Sequence, residues 1–71
     1  MGIYEQTLYV ADVDEVVAID LKTGKALSRI PINGAGFLND ITISNQGVVY
    51  VSDSKTGKVH RVVKGVPGTF L

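Results

Sequence analysis

Leu8-Tyr9-Val10-Ala11-Asp12 and Val49-Tyr50-Val51-Ser52-Asp53 are two versions of one pattern, at an offset of 41 in the numbering. Strand alternation places Leu8, Val10 and Asp12 on one face and Thr7, Tyr9 and Ala11 on the other; in the second copy Val49, Val51 and Asp53 oppose Val48, Tyr50 and Ser52. Both faces are largely apolar in both copies, so the sheet that carries them has to be covered on two sides. Val17-Ala18-Ile19 lines up with Val59-His60-Arg61 after a single insertion, which extends the repeat. A period of roughly 40 residues built of short strands is the signature of a β-propeller blade, each four-stranded blade packing on the next.

A second offset, of 33, superposes Asp20-Leu21-Lys22-Thr23-Gly24-Lys25 on Asp53-Ser54-Lys55-Thr56-Gly57-Lys58 with more identities. The longer period is preferred, because two hairpins at different blade positions can share turn chemistry, with glycine supplying the positive φ. Lys-Thr-Gly-Lys lacks the upstream glycine spacing and the following helix of a phosphate-binding loop, so it reads as a hairpin turn.

Valine and isoleucine together occur seventeen times and threonine five times more, a β-branched load that favours strands over helices. Turn signals at Lys22–Gly24, Asn33–Gly36, Asn45–Gly47, Lys55–Gly57 and Lys64-Gly65 leave strands at Gln6–Ala11, Glu15–Asp20, Ala26–Ile32, Leu38–Ser44, Val48–Ser52, Lys58–Val63 and Pro67–Leu71. The expected fold is all-β, one to two four-stranded antiparallel propeller blades. Residues 1–32 supply the second to fourth strands of an incomplete blade and residues 33–71 the four strands of the next. Since a repeat array generally needs at least three units to bury a continuous core, the chain is expected to be a fragment of a larger ring.

The 71 residues support one small core at most, and without cysteine there is no disulfide framework or thiolate metal cage. No apolar run approaches the roughly 20 residues of a membrane span, and no basic segment precedes an apolar one as in a signal peptide. A net charge of zero gives no general attraction to nucleic acid or to an anionic membrane, so neither is an expected partner. The balance is uneven along the chain. Residues 1–21 hold Glu5, Asp12, Asp14, Glu15 and Asp20 with no lysine or arginine, whereas residues 22–71 hold seven basic side chains against Asp40 and Asp53. Docking of complementary ends and a chance segregation of solvated charge both account for this.

Phe37-Leu38-Asn39-Asp40-Ile41-Thr42-Ile43-Ser44, Asn45-Gln46-Gly47-Val48-Val49-Tyr50-Val51-Ser52-Asp53-Ser54 and Thr56-Gly57-Lys58-Val59-His60-Arg61 together resemble the six-bladed propellers of the senescence-marker-protein, gluconolactonase and luciferin-regenerating-enzyme-like family. The similarity runs from Phe37 to Gly65; Leu8–Ile32 is equally similar to blades of NHL type, notably at Tyr9-Val10-Ala11-Asp12. The resemblance implies a fragment of a six-bladed, metal-dependent lactone or ester hydrolase, inactive as this chain alone, with a non-catalytic NHL-type scaffold for a ligand or protein as the alternative. It implies Asn39 as a metal ligand at the channel mouth and Asp40 as its neighbour near substrate. Their oxygens suit calcium, magnesium or manganese, with zinc also in range, held in the intact parent and not by this chain alone. The implied partners are the remaining blades of the parent, or further copies recruited through open strand edges. An Asx-type hydrogen bond fixing the strand entry is the structural alternative for Asn39-Asp40. Asp12 and Asp53, at equivalent strand ends, are expected to cap turns. His60, the sole histidine, has neither a second metal-binding histidine nor a serine–histidine–acid set around it in the sequence.

Overall fold

A computed structural model describes residues 1–71 as eight strands and no helix: β1 (Gly2–Tyr4), β2 (Thr7–Asp12), β3 (Glu15–Asp20), β4 (Ala26–Pro31), β5 (Leu38–Ile43), β6 (Val49–Asp53), β7 (Val59–Val63) and β8 (Val66–Thr69). They form two antiparallel four-stranded sheets, β1-β2-β3-β4 and β5-β6-β7-β8, each strand pairing with its neighbour in sequence. This is the arrangement of two successive propeller blades. The first sheet is not limited to the three strands that the sequence pattern predicts. Gly2, Ile3 and Tyr4 pair with Tyr9, Leu8 and Thr7 as an inner edge strand, so residues 1–32 hold all four strands. So short a segment cannot show a strand period, which is why β1 escapes a reading of pattern alone.

The topology also settles the two repeat offsets. β2 and β6 are the second strands of their sheets, so the 41-residue repeat relates like positions. The 33-residue repeat joins the β3–β4 turn to the β6–β7 turn, which stand at different places in the two sheets but share a backbone. In each, the aspartate N–H donates to the lysine carbonyl five positions on (Asp20 to Lys25 and Asp53 to Lys58, both 2.9 Å), and the glycine N–H returns to the aspartate carbonyl. Gly24 and Gly57 both take φ +74, where a side chain is strained.

The core lies between the sheets. Val16 and Ile30 of the first sheet, Ile32 of the connection, and Leu38, Ile41, Val49, Val51 and Val62 of the second form one cluster, with Tyr9, Ala11 and Ile43 packed on it. Burying a side chain of this kind contributes about 1.5–3 kcal/mol relative to leaving it in water. Register assigns the faces. Tyr9 opposes Ala18 and Ala11 opposes Val16, so these point to the second sheet, while Leu8 opposite Ile19 and Val10 opposite Val17 point away from it. Only 12 of the 71 residues are buried, as a single layer of core between two sheets requires.

The β2–β3 turn fastens one sheet to the other. Leu38 N–H donates to the Val13 carbonyl at 2.7 Å, and Ile32 N–H to the Asp14 carbonyl at 2.9 Å. Val13 adopts φ +51, a region that β-branched residues avoid, so this turn holds backbone strain at the point where it receives the inter-sheet bond.

Candidate functional site

Leu38 and Ile41 are both buried on the core face of β5, although an odd spacing in a regular strand would put them on opposite faces. A bulge reconciles the two. Leu38 pairs with Asp53 and Ile41 with Val51, so three steps along β5 answer two along β6. The extra residue falls at Asn39-Asp40 and turns both side chains into solvent, at the inner edge of the second sheet. Bulges re-aim side chains in this way and are enriched beside active sites. The Asx-type alternative is not formed; the bond that anchors the bulge runs from Asp40 N–H to Ser52 Oγ, 3.1 Å. Both side chains therefore keep their oxygens free.

The donor set tests what this pair can hold. A carboxamide and a carboxylate oxygen fit a hard divalent cation, but such an ion takes about 6–8 oxygens as calcium or about six as magnesium. No group of three or more histidine, cysteine, aspartate or glutamate side chains is assembled anywhere in the two sheets. A shell built on this pair would need its other donors from outside these two sheets.

Behind the bulge stands a second polar constellation that the sequence does not reveal. Asp53 is buried, 2% exposed, at the end of β6, and its carboxylate receives four main-chain N–H groups and one side chain. Gly36 (2.8 Å) and Phe37 (3.0 Å) donate from the inter-sheet connection, Lys55 and Thr56 (both 3.1 Å) from the following turn, and His60 Nε2 (3.1 Å) from β7. Burial acts to raise the Asp53 pKa, but the N–H groups of Phe37 and Gly36, the His60 ring and Thr56 outweigh it and hold the carboxyl well below the usual range. Gly36 makes the approach feasible: a Cβ there would lie 2.8 Å from the Lys55 Cβ.

The turn-capping role expected of Asp53 is therefore present, and enlarged into a clamp on the connection. Its repeat partner differs. Asp12 is exposed, caps no turn, and stands 4.0 Å from Arg29, which bonds Glu15 at 2.6 Å. No stretch of this chain crosses Asp12 as residues 36–37 cross Asp53, so the same sequence position has a different task. His60 is 1% exposed, its Nδ1 buried without a partner. With its Nε2 committed to Asp53 and no hydroxyl or thiol nucleophile bonded to it, His60 is part of the clamp and of no triad.

The largest cavity, about 530 Å³, lies between the sheets among Tyr4, Tyr9, Ile30, Gln46 and Val62, and none of Asn39, Asp40, Asp53 or His60 lines it. No protein-family model, no curated protein and no solved structure matches the chain.

Proposed function

We propose that the two sheets are blades of a gluconolactonase-like propeller that hydrolyses lactones or esters with the help of a divalent metal. The observation that carries the reading is the β5 bulge, which presents Asn39 and Asp40 together at the inner edge with no internal hydrogen bond to occupy their side chains. Asn39 Oδ1 would hold the metal as a neutral ligand, and the adjacent Asp40 carboxylate would take the proton of the attacking water and return it to the ring oxygen as the acyl C–O bond breaks. A bound cation of the calcium, magnesium, manganese or zinc type supplies polarisation of the lactone carbonyl. The Asp53 clamp keeps residues 36–37, and with them the entry to the bulge, in place. Hydrolysis needs the donors of further blades.

Manganese titration of the full ring of blades, followed by paramagnetic line broadening of the backbone amides of these two sheets, tests this. The expected result is broadening centred on residues 38–42 that Asn39→Ala weakens by about tenfold or more. Broadening that is uniform, or that survives both Asn39→Ala and Asp40→Ala, removes the pair from any metal site and leaves the non-catalytic NHL-type scaffold as the reading.

A further inference from the structure

Register leaves one face of each sheet without a covering layer. On the first sheet it carries Ile3, 60% exposed, the half-buried Leu8, Val10 and Ile19, and Val17, which neighbouring side chains already bury. On the second it carries Thr42, Tyr50 and Arg61 in one row, with Ser52 and Val59 in the next. Phe70 lies against this face, edge-on to Tyr50 at 5.0 Å and under the Arg61 guanidinium at 5.2 Å.

The repeat makes these two faces complementary. Inside the chain, Tyr9 and Ala11 of the first sheet pack on the core that Val49 and Val51 of the second help to form. The 41-residue equivalence converts Tyr9 and Ala11 into Tyr50 and Ser52, which are on the open face of the second sheet, and Val49 and Val51 into Leu8 and Val10, which are on the open face of the first. The open face of the second sheet is thus the counterpart of a surface that already docks, and the open face of the first is the counterpart of the surface it docks on. Charge agrees: Asp12 and Glu15 border the first face beside Arg29, while Arg61 stands on the second, preceded by Lys58 and followed by Lys64, against Asp40.

We infer that the occupant of each open face is a second copy of this chain, docked head to tail, second sheet on first sheet, so that the internal interface is repeated between molecules. Within the chain, β5 lies beside β1 and β2 and β8 meets β4 at the far edge, the pairing that the contact between copies would repeat. A heterologous contact repeated from copy to copy closes into a ring where its rotation closes and extends as an open filament where it does not, and the ring is the form expected here.

Two double variants on exposed or half-buried positions separate this from other associations. Ile3→Lys with Val10→Lys blocks the first face, and Thr42→Glu with Arg61→Glu blocks the second. In sedimentation velocity the wild-type chain is expected as one discrete oligomer and each double variant as a monomer. Mixed in equal amounts, the two variants are expected to form a heterodimer and nothing larger, since only one pair of good faces remains. Far-UV circular dichroism checks that both variants keep their strands. Independently of any substitution, carbodiimide cross-linking of isotopically light and heavy wild-type chains should join Asp12 or Glu15 of one copy to Lys58 or Lys64 of another. A wild-type monomer at several hundred micromolar overturns the inference, as does a variant that still pairs with itself, a series of open polymers, or cross-links joining first sheet to first sheet.

Discussion

Val13 and Asp53 show two ways in which one residue sets the relation between the sheets. Val13 is half exposed and held at φ +51 while its carbonyl receives Leu38 N–H. Asparagine tolerates this conformation better than any β-branched residue, so Val13→Asn should stabilise the fold by about 1 kcal/mol, read from urea denaturation. An unchanged or lower midpoint would show that the turn is not strained. Asp53 contributes through its ionised form. Its folded-state pKa is depressed, so its contribution is fully present above the ordinary carboxylate value near 4 and is lost as pH falls below it. Thermal melts between pH 2 and 6 should show a steep loss of stability below pH 4, and Asp53→Asn should flatten that slope while lowering the melting temperature throughout. Asp12→Asn, at the equivalent but exposed position, should move the melting temperature by no more than about 4 °C. A pH slope that persists in Asp53→Asn would assign the acid sensitivity to other carboxylates.

Among the elements, the turns are the most legible in the sequence and the bulge the least. Asp-x-Lys-Thr-Gly-Lys specifies the same backbone in two settings because the main-chain bonds that close the turn, aspartate N–H to lysine carbonyl and glycine N–H to aspartate carbonyl, lie within the motif in both, although the Asp53 carboxylate also receives Gly36, Phe37 and His60 from outside it. Gly24→Ala and Gly57→Ala should accordingly cost about 1–2 kcal/mol each and differ little, since neither position has an atom within 4 Å of an added Cβ and the cost is backbone strain alone. Chemical denaturation of the two variants side by side measures it, and a large difference would mean that the tertiary setting governs the turn. Strand positions follow from β-branched runs between turns, since those residues favour half-buried pleated surface. β1 does not follow, because Gly2 is a poor strand former and owes its place to close packing of its Cα position on Ile41 and Ile43. The Asn39-Asp40 pair stands out in the sequence, but the reason both side chains leave the core face, an unequal step count against β6, exists only once the strands are paired. The Asp53–His60 contact is hidden for the same reason: a spacing of seven means nothing until a hairpin folds the two together.

For the whole molecule, the doubly apolar strands that decide the fold have a consequence for assembly. A two-sheet unit covers one face of each sheet and leaves the other, so association through those faces adds burial that the monomer lacks. The melting temperature should therefore rise with protein concentration, and Ile3→Lys with Val10→Lys should abolish the dependence. Differential scanning calorimetry over a hundredfold range of concentration reads this directly, and a melting temperature independent of concentration in the wild type would rule out assembly coupled to folding. The first sheet with its turns holds five acidic against three basic side chains and the second two against four, an imbalance that favours unlike faces meeting over like ones.

The connection between the sheets follows a different rule from most loops. Residues 33–37 carry no regular structure, yet the Gly36 and Phe37 amides are tied to a buried carboxylate as firmly as a strand amide is to its ladder. In hydrogen–deuterium exchange these two loop amides should be retained as long as those at the centre of β6, and be released together with them. The segment that joins the blades would then open only when the second sheet unfolds, making the linker part of a cooperative unit rather than a hinge.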